Sequence, residues 1–314
     1  MTELTALSAT LSAELVAELE RFEQQFTYPL GPERWFRISH GADYSRFFRA
    51  MGEATSLVAC RGGRVVGTLG VAVRDLVLPD GERRSAAYFG DLKIAPSARG
   101  GRVLPDLANG AREWVGDKVV AAFAVVMGGT PVTPERYTGR LGIPIFREVG
   151  RVSVLRFDTS VGARIAPEWV VPVDIARARL RTLARGRYHT DDGTSAVRSE
   201  IDPVGLVAPN GSAGGWVEDT ARAKRLIAND GTELRSAHLS GFGYASPGSG
   251  AALLRTALGI AFERTFPALF VAVPLEETDS ILQLLPDVPV TVAPAIVYGA
   301  GLQPSVWNVN TAEI

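Results

Sequence analysis

The chain has 314 residues, of which 46% are hydrophobic and 21% charged; these values exclude a disordered chain or a fibre and suggest two domains or one large one. Thirty-three basic residues against 34 acidic ones leave a net charge of −1, which argues against a generalised nucleic-acid binder, since such proteins hold phosphates by excess positive charge. One cysteine (Cys60) and three histidines (His40, His189 and His238) cannot form an internal disulfide or a Cys/His zinc cage, so no metal is expected.

The first 26 residues alternate acids with apolar residues and lack the basic start and unbroken apolar run of a signal peptide. They read as a cytoplasmic helix with Leu11, Leu15, Val16, Leu19 and Phe22 on one face, closed off by Gly31-Pro32. No 18 apolar residues run together, so no membrane span is expected. After a second helical stretch at 43–51 come three apolar runs, 56–60, 65–77 and 86–94. The turns Arg61-Gly62-Gly63-Arg64 and Pro79-Asp80-Gly81 separate them, which predicts an antiparallel meander. Val103, Leu104, Leu107, Ala108, Ala111, Trp114 and Val115 then describe a helix with one buried stripe. A buried-type strand at 119–127, a short polar helix at 133–141 and a strand pair at 145–157 complete this half.

Asp158-Thr159-Ser160, Pro167 and Pro172 mark a boundary, dividing the chain into 1–158 and 159–314. Beyond it the sequence predicts an Arg-rich helix at 174–187, an exposed loop at 188–195, a helix at 217–228 and a strand at 234–244. The turn Pro247-Gly248-Ser249-Gly250 opens a helix with Leu253, Leu254, Ala257, Leu258, Ala261 and Phe262 on one face, and strands follow at 268–273 and 290–298. The second half reads as a shortened copy of the first.

The stretch from Tyr88 to Val103 runs from strand through a glycine turn into a helix. Such a helix start aims unpaired N–H groups and a positive dipole end at one point, a cradle for an anion such as pyrophosphate. Arg99 and Arg102 add positive charge beside Gly100 and Gly101. The plainer alternative is a tight turn with two solvated arginines.

With the meander before it and a strand-helix-strand finish after it, the run Asp91-Leu92-Lys93-Ile94-Ala95-Pro96 followed by Arg99-Gly100 resembles the GNAT acyltransferase superfamily over residues 35–157. The resemblance implies an α/β (α+β) fold of two GNAT-like mixed sheets flanked by helices. It also implies that Arg99, Gly100, Gly101, Arg102, Val103 and Leu104 hold the pyrophosphate of acetyl-CoA or a longer acyl-CoA. The amides near Leu92 and Ile94 would meet pantetheine and thioester where the strand splays at a bulge. Two departures stand out: Arg102 lies where the family's signature has its first glycine, and Leu104 where glycine or alanine is usual. Residues 245–254 keep both signature glycines, Gly248 and Gly250, but lack the basic residue; Gly248-x-Gly250 is also half of a dinucleotide fingerprint. The first copy is therefore expected to bind the cofactor and the second to complete the acceptor site.

Acyl transfer to an amine needs a proton acceptor and a proton for the leaving thiolate. Asp91, on the splayed strand, is the expected base, with His238 the next candidate. Tyr137 is the expected acid by resemblance, although Thr138 occupies the family's usual tyrosine slot. The expected function is N-acyl transfer from acyl-CoA to a primary amine of a small molecule or peptide. The alternatives are a donor acyl carrier protein, docked by Arg177, Arg179, Arg181, Arg185 and Arg187, which otherwise form a solvated face, and a non-catalytic acyl-CoA-binding scaffold.

Overall fold

The computed structural model describes residues 2–7, 10–31, 33–140, 142–160, 166–190 and 193–314. The first half contains β1 (Glu3–Ala6), α1 (Ala13–Glu23), β2 (Tyr28–Gly31), β3 (Arg34–Ser39), α2 (Arg46–Arg49), β4 (Glu53–Arg61), β5 (Arg64–Val77), β6 (Arg83–Ile94), α3 (Val103–Val115), β7 (Ala121–Met127), α4 (Pro134–Tyr137) and β8 (Arg147–Asp158). The second contains β9 (Val170–Val171), α5 (Val173–Leu183), β10 (His189–Thr190), α6 (Ser195–Arg198), β11 (Val204–Val207), β12 (Ala213–Glu218), β13 (Arg225–Ala228), β14 (Ala237–Tyr244), α7 (Pro247–Glu263), β15 (Ala268–Pro274), α8 (Thr278–Leu282) and β16 (Val290–Ala300).

One 13-stranded sheet carries the order β1-β4-β5-β6-β7-β16-β8-β15-β14-β12-β11-β9, with β10 added against β5. The order is two-fold about the antiparallel pair β16–β8. On one side β16 pairs with β7, which runs parallel to β6; on the other, β8 pairs with β15, which runs parallel to β14. Each parallel pair is joined by a crossover helix, α3 or α7, as parallel pairing requires. Each half therefore ends on a strand seated against the other half's sheet. A second, three-stranded sheet, β13-β3-β2, also joins the halves.

The buried stripes of α3 (Val103, Leu107, Ala111, Val115) and α7 (Leu253, Leu254, Ala257, Leu258, Ala261) each pack on their own half of the sheet. Phe262, expected on that stripe, is 51% exposed. Near the two-fold, an aromatic layer of Phe47, Phe48, Tyr88, Phe123 and Trp307 lies in the core. Among the described residues no helix is long and apolar enough to cross a membrane.

Several expectations change. Residues 217–228 form the end of β12, a loop and β13 rather than a helix, because the strand around Trp216 and Val217 is buried on both faces between its neighbours. The expected pair at 145–157 is the single strand β8. The helix expected at 133–141 is one turn, α4; Leu141, like Pro32, lies outside the described residues. The loop expected to be exposed at 188–195 buries Tyr188 and His189 and pairs with β5, with residues 191–192 outside the described set. The Arg-rich helix keeps a solvated face at Asp174, Ala178, Arg181 and Arg185, all exposed, while its other three arginines turn inward. Arg177 stacks 4.4 Å from the Trp216 ring, Arg179 Nε donates to Gly211 O at 2.5 Å, and Arg187 pairs with Glu277 at 2.7 Å.

Candidate active site

β6 runs parallel to β7 only through Ala86, Ala87 and Tyr88, opposite Ala121, Ala122 and Phe123, yet it stays paired with β5 as far as Ile94. From Phe89 to Ile94 the β7-facing edge of β6 thus has no strand partner among the described residues, which leaves its backbone groups available to a ligand. The cause is a bulge. The register with β5 steps from Gly70↔Gly90 to Thr68↔Lys93, so Asp91 and Leu92 together oppose Leu69, and Asp91 takes φ 53°. Such an insertion bends and twists its strand away from a neighbour.

The second half repeats this geometry. β14 and β15 pair only through Ala237↔Leu269 and His238↔Phe270, and Gly241 and Phe242 together oppose Gly215, with Gly241 at φ 60°. By this register Gly241 is the counterpart of Asp91, and His238 is the counterpart of Tyr88. His238, the next candidate base, therefore lies three residues before the counterpart of Asp91. A Cβ at Gly241 would lie 2.1 Å from the Trp216 ring, so a left-handed backbone and lack of space both require glycine there.

The two helix starts differ. At α3, the cap residue Arg102 provides no side-chain cap, so the first-turn N–H groups of Val103 and Leu104 have no intrahelical acceptor. Space around Gly100 is open, and Arg102 projects outward with its side chain 83% exposed, leaving the phosphate position clear despite its place in the signature. At α7, Ser246 and Ser249 close a reciprocal capping box, with Ser249 N donating to Ser246 Oγ at 3.3 Å and Ser246 N donating to Ser249 Oγ at 3.2 Å. Pro247 has no N–H to offer. The turn that kept its glycines has spent its donors on itself, and the turn that kept its arginines is open.

Asp91 is held from both sides. Its carboxylate accepts a 2.8 Å hydrogen bond from the Tyr44 hydroxyl and forms a 2.5 Å ion pair with buried Lys93. Lys93 also lies 3.7 Å from Glu23, whose other contact is His40 Nδ1 at 2.6 Å. Glu23, His40 and Asp91 converge closely enough to suit a metal ion, but the Lys93 ammonium already supplies the cation between the two acids. Burial pushes the Asp91 carboxyl up, and Lys93, His40 and Tyr44 outweigh it, so the net shift is downward. An ion-paired carboxylate held below its ordinary value is a poor acceptor for an ammonium proton, which argues against the role of base expected for Asp91. His238 is also unsuited, because burial and then Lys224 draw it down to about 3, and its Nδ1 bonds Thr311 Oγ1 at 3.0 Å.

Two further groups have the protonation behaviour that proton traffic needs, and of these Lys224 lies within electrostatic reach of Asp91. Burial raises half-buried Tyr137 to about 12, so it keeps its proton across the neutral range. Thr138 is committed structurally, donating to Pro134 O at 2.8 Å and accepting from Phe146 N at 3.1 Å. Burial lowers Lys224 to about 8; its ammonium sits 4.4 Å from the Phe47 ring and donates to Ile314 O. Ile314 in turn lines a narrow recess of about 20 Å³ with Tyr88, Phe123, Val125, Trp307 and Glu313, beside the last paired residues of β6 and β7. Sequence reasoning missed Lys224 because nothing local marks it; only the fold brings it to the site. Leu92 and Ile94 lie on the free edge, and 99–104 form the cradle that continues from it, so the expected cofactor residues are brought together.

No protein-family model matches the chain, and no curated protein matches it by sequence. Among solved structures it is similar to Saccharomyces cerevisiae N-myristoyltransferase with bound myristoyl-CoA, with TM-score 0.67 and 9% identity over 99% of this chain and 87% of that one. It is also similar to a GCN5-related N-acetyltransferase from Anabaena variabilis, with TM-score 0.52 and 13% identity over 95% and 72% of the two chains. At these identities the likeness concerns the fold alone, which is GNAT-like, as the sequence resemblance implied; the doubling is this chain's own strand order.

Proposed function

We propose that this chain, with its doubled GNAT-like fold, is an N-acyltransferase that moves an acyl group from acyl-CoA to a primary amine of a small molecule or peptide. The observation that carries the reading is the partnerless edge of β6 at 89–94, which leads through one 3-10 turn at Pro96–Ala98 to the open helix start at 99–104. One ligand with an anionic head and a hydrogen-bonding arm would satisfy both, and the yeast neighbour was crystallised with such a ligand. Residues 1–158 would hold the acyl-CoA and 159–314 would complete the acceptor side.

In this reading Arg99, Arg102 and the amides of Gly100 to Leu104 hold the pyrophosphate, while the free backbone beside Leu92 and Ile94 takes the pantetheine and the thioester carbonyl. The amine lone pair attacks the carbonyl carbon, the tetrahedral intermediate collapses, and the C–S bond breaks. Tyr137 gives its proton to the leaving sulfur, and neutral Lys224 takes the proton released by the acceptor nitrogen. Asp91 positions these groups by fixing the bulge. Donation from a carrier protein has less support, since three of the five arginines suggested for docking are engaged within the fold.

Thermal unfolding with and without CoA tests the reading. A ligand that binds only the folded state adds about 2.7 kcal/mol at 100 times its Kd. Arg99→Glu combined with Arg102→Glu should weaken CoA by about 10- to 100-fold, since it turns two attractive charges into repulsive ones at a dipole end. Gly248→Glu should leave binding intact. The reverse pattern would move the cofactor to α7, and no shift at millimolar CoA would count against acyl-CoA altogether.

A further inference from the structure

The aromatic layer behind the splay limits what can sit at the thioester. Gly70 and Gly90 face each other across β5 and β6, one step before the bulge. Their missing side chains leave a notch in the sheet surface, and the tip of the Phe48 ring fills it. A Cβ at Gly70 would lie 1.9 Å from Phe48 Cζ, and one at Gly90 would lie 3.2 Å from Phe48 Cε1. Phe48 is fully buried and is fixed by neighbours on both sides: Phe47 edge-on at 5.3 Å and Tyr88 tilted at 6.4 Å. Tyr88 then meets Phe123 at 5.2 Å, and Phe123 meets Trp307 at 5.3 Å. At the start of the free edge, Phe89 meets buried Phe146 edge-on at 6.1 Å. Beside this layer lies a recess of about 20 Å³, lined by Tyr88, Phe123 and Trp307, with room for little more than one water molecule or a methyl group.

We infer that the acyl site admits only short acyl groups, of acetyl size, and that Phe48 sets the limit. The inference rests on the acyl-CoA reading and names the donor class within it. A chain of eight or more carbons entering beside Gly90 and Asp91 meets the Phe48 ring, and native packing density leaves such a ring nowhere to go without repacking α2.

The test is a series of affinities for CoA, acetyl-CoA, butyryl-CoA and octanoyl-CoA, measured by isothermal titration with the full-length wild type and with Phe48→Ala. A chain that becomes buried gains about fourfold in affinity per methylene. The expected wild-type result is no such gain, with octanoyl-CoA within about threefold of acetyl-CoA or weaker. Phe48→Ala should bind octanoyl-CoA at least tenfold more tightly than wild type does, with acetyl-CoA little changed. If Phe48→Ala does not fold, Phe48→Leu opens part of the notch, and the wild-type series decides by itself. Wild-type affinity rising 100-fold or more from acetyl-CoA to octanoyl-CoA would overturn the short-acyl assignment while leaving the acyl-CoA reading standing. So would a folded Phe48 variant with no gain for octanoyl-CoA. Failure of every ligand in the series, acetyl-CoA included, would overturn the acyl-CoA reading itself.

Discussion

Arg198→Met is expected to cost about 3–5 kcal/mol of stability, enough to leave much of the protein unfolded. Arg198 is fully buried and grips two carboxylates: its Nε and Nη2 donate to Glu218 at 3.0 and 2.9 Å, and its Nη1 donates to Glu313 at 3.0 Å. Arg74 of β5 holds the other Glu313 oxygen at 2.9 Å, and Trp216 Nε1 donates to Glu218 at 2.9 Å. This network ties β5 of the first half to α6 and β12 of the second. Removing Arg198 leaves Glu218 as a buried charge without its counterion. Urea denaturation at pH 7 reads the loss, and a change below 1 kcal/mol would mean that water reaches these carboxylates. The wild type should show the matching pH dependence. Burial raises the Glu218 carboxyl, but Arg198 overrides it and brings it down to about 2. A folded value below the unfolded one adds stability that is complete above about pH 4.5, on the order of 3 kcal/mol, and is lost as the pH falls toward 2.

Lys224→Met is expected to lower turnover by about 10²- to 10⁴-fold while leaving CoA affinity nearly unchanged, the usual loss when a general base is removed. Because the reactive form is the neutral amine and Lys224 titrates near 8, wild-type kcat should rise through pH 8 and level off above it. The Met variant should instead track the acceptor amine's own deprotonation. Lys224→Arg keeps the charge but cannot give up its proton in this range, so it should be as inactive as Met. The measurement is thiol release from acetyl-CoA, using a primary amine that the wild type acylates. Near-normal turnover in the Arg variant would remove Lys224 from the proton path.

The strand, turn and helix around the cradle were legible because each signal is local. Alternating apolar runs, the pair Gly100-Gly101 and the stripe beginning at Val103 all lie within 30 residues. Residues 217–228 were misread because Trp216 and Val217 obey burial in a sheet whose partners, β11 and β14, lie elsewhere in the sequence. Asp91 was singled out as a base, but its surroundings depend on Tyr44, 47 residues away, and on the Lys93–Glu23–His40 cluster behind it. The insertion of β16 between β7 and β8 pairs residues more than 130 positions apart, and no periodicity encodes it. Gly241 carries no signal until the register shows it opposite Gly215, against the Trp216 ring. Phe48 reads in sequence as an ordinary core aromatic, and only the paired glycines of β5 and β6 reveal what it fills.

A crystal structure of the protein with acetyl-CoA is expected to show the pyrophosphate on the amides of Gly100 to Leu104, the pantetheine along the free edge of β6, and the thioester carbonyl between β6 and β7 beside Asp91 and Leu92. Acetyl-CoA bound at the Ser246 end of α7, or a splay left empty at saturating ligand, would contradict that placement.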